Sequence, residues 1–127
     1  MKYLLDTHTA IWALGDKQKL SKNAIEIIDN TSVPLYVSIT SAWEIVIKVS
    51  VNKLKFHGGA EFFLNTMQKN GIELLGVESA YIKQLEKLPL IHKDPFDRLL
   101  IATSLSENMT LITKDDNIQK YNVQWIW

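Results

Sequence analysis

The chain contains no cysteine. A disulfide framework, an iron–sulfur cluster, a thiol nucleophile and a cysteine zinc site are therefore excluded. It also lacks net charge, because 14 Lys and Arg balance 14 Asp and Glu. Coating of nucleic acid by bulk positive charge is not expected, while local cationic patches remain open. No apolar run approaches the ~20 residues that span a bilayer. In the opening "MKYLLDTHTAIWALGD" only Tyr3, Leu4 and Leu5 separate Lys2 from Asp6, too little for a signal-peptide core of about 7–15 apolar residues. No membrane segment is expected, and the cytosol is the expected compartment. No linker, repeat or low-complexity stretch breaks the chain, so residues 1–127 read as a single domain. With 46% apolar and 22% charged residues, the composition suits a packed core and not a disordered chain.

What is present is an alternation of short apolar runs and helical patterns. The runs are "KYLL" before Asp6, "PLYVS" (34–38), "IELLGV" (72–77), "TLIT" (110–113) and "VQWIW" (123–127). They are continuous, as expected of strands covered on both faces. Between them, Leu20, Ala24, Ile27 and Ile28 make one helical stripe, with Ser21 near its start. Ile39, Ala42, Trp43, Val46 and Ile47 make a second, and Ile45, Val49 and Val51 add apolar side chains off it. A helix apolar nearly all round is deeply buried or packed on a partner. Further helices are expected over 60–70, ending at Gly71, and over 79–88, ending before Pro89. "DPFDRLLIATSL" starts another, with Asp94 at the N-cap and Pro95 at N1. "KFHGG" (55–59) reads as a flexible loop. Strand–helix alternation implies an α/β fold, with a parallel sheet between helix layers and right-handed crossovers.

In such a sheet the strands end at one edge, the following helices start there, and ligands bind there. Asp6 ends the first strand, Glu44 lies early in the helix after "LYVSI", Asp97 is at N3 of the "DPFDR" helix, and Asp115 follows "TLIT". Asp94 and Asp116 lie near the same edge. Each acid also has a local reading. Asp6 could cap the next helix, Glu44 could close a capping box with Ser41 or pair with Lys48, Asp97 could serve the helix dipole, and Asp115 could be a turn residue. Asp97, however, falls between Leu100 and Ile101 on the helical wheel, not on a solvent face.

Carboxylates drawn together repel, so some take up protons or a cation neutralises them. Oxygen-only ligands suit Mg²⁺ or Mn²⁺. Such an ion offsets charge on a phosphodiester under attack and activates water, which makes a metal-dependent phosphodiesterase the reading of these residues.

"YLLDTHTAIWAL", "SAWEIVIKVSVNKL", "HKDPFDRLLIATSL" and "LITKDDNIQKYNVQWIW" together resemble PIN-domain proteins, and within them the VapC-type toxins of bacterial toxin–antitoxin pairs. The matching segments run from Tyr3 to Trp127. The resemblance implies a three-layer α/β/α sandwich around a parallel sheet of four or five strands, and an Mg²⁺- or Mn²⁺-dependent endoribonuclease. It places the family's acids on Asp6, Glu44, Asp97 and Asp115, with Asp116 as an alternative fourth acid and Thr113 as a supporting hydroxyl. Asp6, Asp97 and Asp115 are the expected metal ligands, with Glu44 completing the shell or orienting the attacking water. The implied partners are an RNA substrate, a second copy in a homodimer, and an antitoxin that wraps the toxin. "DTH" carries His8 where many relatives have a smaller polar residue.

Lys48, Arg98 and Lys114 are the candidate phosphate contacts, with Lys53, Lys55 and Lys93 nearby. Arg98 is equally suited to a structural ion pair. Trp12 and Trp43 belong to early helices near the expected edge. They suit a core, a groove for a partner helix or, for Trp12, a surface on which a base stacks. A receiver domain would need an acid ending a middle strand, and "PLYVS" and "IELLGV" end without one. An Asp-x-Asp-x-Thr phosphatase would need an acid where His8 stands. The alternative kept is a catalytically inactive PIN-like module that binds RNA or protein.

Overall fold

The computed structural model describes residues 1–127. Its centre is a five-stranded, all-parallel sheet made of β1 (Tyr3–Leu5), β2 (Leu35–Ser38), β3 (Glu73–Leu75), β4 (Thr110–Ile112) and β5 (Trp125–Ile126), in the order β3-β2-β1-β4-β5. Seven helices flank it: α1 (Thr7–Gly15), α2 (Lys22–Ile28), α3 (Ile39–Ser50), α4 (Gly59–Lys69), α5 (Ser79–Glu86), α6 (Pro95–Glu107) and α7 (Asp116–Gln119). The expected α/β/α sandwich is formed. A short 3₁₀ turn at Lys17–Lys19 and the single turn of α7 are additions that no apolar periodicity announced. No helix is long and apolar enough to cross a membrane.

The continuous apolar runs are explained by the pleat, which sends alternate side chains to opposite faces. Leu5, Val37 and Ile112 stand in register and join Ala10, Ala24, Ile45, Phe63 and Met67 from α1 to α4. Leu4 and Leu111, one residue earlier, join Leu100 and Ile101 of α6 with Ile118 and Tyr121. Each face therefore has its own core, and β1, β2, β3 and β4 contribute to both.

Two local expectations change. The buried side of α3 is Ser41, Ala42, Glu44 and Ile45, whereas Trp43, Val46 and Ile47 are exposed. The helix is turned this way because Ser41 and Glu44 are bonded to Thr7 of α1. Trp43 instead meets Phe96 edge-on, with ring centroids 4.9 Å apart. Secondly, "KFHGG" is a fitted turn. Phe56 packs on Phe62 and Phe63, and Gly58 (φ 92°) caps α4. A Cβ at Gly58 would lie 2.6 Å from that of Phe62, so only glycine closes the turn.

From β1 the chain builds outward to β2 and β3, then returns past β1 to β4 and β5. The order of the sheet therefore reverses between β1 and β4. The carboxyl ends of those two strands are the switch point at which α/β sheets bind ligands.

Candidate active site

Asp6 leaves β1 at this switch point and caps α1, its Oδ1 accepting the Thr9 N–H at 2.8 Å. Its Oδ2 accepts the hydroxyl of Thr113, which follows β4. The same hydroxyl accepts the Asp115 N–H at 3.0 Å. Thr9 ties the two strands once more by donating to the Ile112 carbonyl at 2.9 Å. Asp6 is 6% exposed. Burial raises its pKa, and the bonds from Thr113 and Thr9 offset part of that rise. Asp115 is half-buried and caps α7, accepting the Asn117 N–H at 2.8 Å.

Glu44 is buried on the inner side of α3. Its Oε1 accepts the Thr7 hydroxyl at 2.6 Å, and its Oε2 pairs with Lys48 one turn later. The capping box with Ser41 does not form, because Ser38 is the N-cap of α3 and Ser41 lies inside the helix, bonded to Thr7 at 2.8 Å. Burial pulls the Lys48 ammonium down, but the bond to Glu44 and the charges of Glu44, Asp94 and Asp97 outweigh it. Its pKa stands above the ordinary value.

Asp94 and Pro95 start α6 as expected, and Asp94 accepts the Asp97 N–H at 2.9 Å. Asp97 is itself held by a residue that the pattern of the sequence did not single out. His92 Nε2 lies 3.1 Å from Asp97 Oδ2, and His92 Nδ1 lies 2.8 Å from the Tyr121 hydroxyl. Arg98 Nη1 donates to that hydroxyl at 2.9 Å and to the Pro89 carbonyl at 2.8 Å. Arg98 Nη1 is thus engaged within the fold, and the ion pair expected as one of its two options is not formed. Both acceptors engage the one nitrogen Nη1, and the guanidinium lies 6.0 Å from the centre of the Tyr121 ring. The one signal for His92 was its place two residues before the Asp94 cap, hence at the open edge.

Electrostatics link Asp97 to Glu44 and Asp115. Burial, countered by the His92 bond and reinforced by the charges of Asp94, Asp115 and Glu44, pushes the Asp97 pKa up to about 7. Asp97 therefore sits within the field of Glu44, from another helix, and of Asp115, from the β4 end. Lys114 is exposed and, with Asp6, His8, Trp12 and Asp115, lines a cavity of about 310 Å³. Asp116 is exposed as the first residue of α7, outside this lining, which distinguishes it from Asp115.

No three carboxylate or imidazole groups stand close enough to ligate one ion directly. The expected shell of Asp6, Asp97 and Asp115 is thus not assembled from protein atoms alone, because each carboxylate is turned toward its own protein donor. The donor set still fits a hydrated hard cation. Magnesium keeps several waters and uses one or two carboxylates. All the oxygen donors are present, and the Thr40 hydroxyl is buried without a partner one helical turn before Glu44.

A model of the PIN domain matches residues 3–124. The chain belongs to the PIN-domain family. It is 25% identical over 119 residues to ribonuclease VapC22 of Mycobacterium tuberculosis, spanning 93% of this chain and 90% of that protein. Three solved structures share the PIN fold at low identity. The complex VapBC2 from Rickettsia felis, bound to a DNA fragment from its promoter, superposes with a TM-score of 0.74 at 16% identity, covering 100% of this chain and 99% of that one. DNA-bound VapBC from Salmonella typhimurium gives 0.71 at 16%, covering 99% and 97%. A toxin–antitoxin complex from Klebsiella pneumoniae gives 0.63 at 14%, covering 98% and 96%. In this PIN domain, then, the switch point carries Asp6, Thr113 and Asp115, while α3 and α6 bring Glu44 and Asp97 within electrostatic reach.

Proposed function

We propose that the protein is a divalent-metal-dependent endoribonuclease acting as the toxin of a toxin–antitoxin pair. The observation that carries this reading is that Thr113 joins Asp6 and Asp115 at the switch point of a PIN domain, while Asp97 lies in the field of Asp115 and Glu44, the latter paired to Lys48. The ribonuclease relative and the toxin–antitoxin neighbours support it.

Asp6, Asp97 and Asp115 would hold Mg²⁺ or Mn²⁺, directly or through water. When bound, the ion lowers the pKa of a water and offsets charge on the phosphate. Asp6 is kept in place from two sides by Thr9 and Thr113. Thr7 and Lys48 fix Glu44, which orients the attacking water. His92 fixes Asp97. The water oxygen bonds to phosphorus and the bond to the 3′ oxygen breaks, leaving a 5′-phosphate and a 3′-hydroxyl.

An apolar strip on the outside of α3 supports a protein partner. Trp43, Val46, Ile47, Val49 and Val51 are all exposed, and such patches mark interaction surfaces. The antitoxin and a second copy of the chain are the partners assigned to it on this reading.

The test is cleavage of cellular RNA by purified protein with Mg²⁺ or with EDTA, comparing wild type with Asp6→Asn. Expected are Mg²⁺-dependent products with 5′-phosphate ends from wild type alone. Products with 2′,3′-cyclic phosphate ends contradict the mechanism. RNA binding that survives EDTA, with no cleavage at all, favours an inactive binding module.

A further inference from the structure

The cavity beside the acids has an aromatic wall that cleavage chemistry does not require. Trp12 is half-buried on α1, with the His8 ring centre 5.7 Å away on one side and the Trp127 ring edge-on at 6.0 Å on another. The Trp127 carbonyl is in turn held by the Asn23 side chain at 3.2 Å. The indole is therefore braced from behind, and His8 is exposed at its border. Carboxylates of Asp6 and Asp115 line the same cavity, and the exposed Lys114 stands at its rim.

Trp12 offers a face to a flat apolar group, and Lys114 is the one cation within reach of an anionic group attached to it. At about 310 Å³ the cavity is at the small end of ligand sites, enough for one ring system. We propose that it takes a single nucleobase of the substrate, stacked on Trp12 and bordered by His8, with the attached phosphate drawn toward the acidic rim by Lys114. This rests on the nuclease reading and adds a base subsite to it. Every base has a face to stack, so the subsite governs affinity more than sequence. A base paired within a continuous duplex has both faces covered and cannot enter. A basic side chain of a protein partner is the competing occupant. Asp6 and Asp115 favour that cation and Lys114 alone opposes it, so the flat face of Trp12 is what argues for a base.

The test is a titration of the metal-free protein followed by the indole N–H resonances in NMR, with Trp12 assigned through Trp12→Phe. The probes are the four common ribonucleoside 5′-monophosphates, ribose 5-phosphate as the probe without a base, and N-acetylarginine amide. Expected is a saturable shift of the Trp12 indole with the monophosphates and none with ribose 5-phosphate. Trp12→Ala should weaken monophosphate binding on the order of tenfold, while Trp12→Phe retains most of it. Trp12 also packs against the core, so the wild-type titration, monophosphates against ribose 5-phosphate, carries the test if Trp12→Ala does not fold. A Trp12 resonance unmoved by every monophosphate, or moved only by the arginine amide, overturns the subsite. The nuclease reading fails separately, through absence of Mg²⁺-dependent RNA cleavage by wild type. Cleavage with a silent Trp12 would sink the subsite alone.

Discussion

The hydroxyl of Thr113 donates to Oδ2 of Asp6 across 107 residues of sequence, and the Thr113 Oγ1 accepts the N–H of Asp115. One fully buried side chain thus joins the ends of β1 and β4 and sets the distance between two of the four acids. Thr113→Val keeps the shape and removes both bonds. It is expected to cost about 1–3 kcal/mol, because a buried carboxylate loses its donor. Thr113→Ser should recover most of that stability. Urea unfolding of the three proteins measures it.

Asp97 gives the metal-free protein a pH-dependent stability. Its folded-state pKa, about 7, lies above the ordinary value of 3.8. Between those values the folded state binds more protons than the unfolded chain, so stability falls as pH rises from about 4 through about 7 and is flat beyond. Asp6, also raised, adds to the same direction. Asp97→Asn removes the Asp97 part. In EDTA its melting temperature should exceed that of wild type by several degrees at pH 8, with the gap closing toward pH 4. Mg²⁺ should then raise the wild-type melting temperature more than the mutant's. At a hundredfold excess over Kd the gain is about 2–3 kcal/mol.

His92 lowers the pKa of Asp97 against burial and neighbouring charge. Removing the ring as His92→Ala should therefore move Asp97 titration to higher pH. The side-chain carboxyl carbon resonance of Asp97, followed in EDTA, reports this directly. Tyr121→Phe should move it in the same direction by less, because the hydroxyl bonded to His92 Nδ1 is lost while the ring stays. An unchanged titration in His92→Ala would mean that the bond at 3.1 Å does not bear on Asp97.

The exposed strip on α3 separates association from folding. Ile47 is 40% exposed, so Ile47→Glu should alter stability by no more than about 0.5 kcal/mol. Association with a second copy or with the antitoxin should weaken at least tenfold, since a charge would be placed inside an apolar contact. Sedimentation of the purified chain and of the co-expressed pair reads both outcomes.

Elements with strong local signals were legible in the sequence. Continuous apolar runs marked all five strands, most fully the central β1, β2 and β4 that are covered on both faces, and Asp94-Pro95 marked the start of α6. The positions of Asp6, Glu44, Asp97 and Asp115 along the chain followed from the rule that strand ends and helix starts share an edge. What stayed hidden depends on partners far away in sequence. Which side of α3 faces inward is set by Thr7, 34 and 37 residues from Ser41 and Glu44. The His92–Tyr121 contact spans 29 residues and has no periodic signature. The four residues of α7 are too few to show a stripe, and the use of Arg98 was decided by Tyr121 and the Pro89 carbonyl.

Manganese binding, followed by electron paramagnetic resonance on the purified protein, decides whether the acids act together. Asp6→Asn, Asp97→Asn and Asp115→Asn should each weaken binding at least tenfold, with Asp29→Asn, an exposed acid paired to Lys17, as the unaffected control. Equal manganese affinity in all five proteins would contradict a shared site.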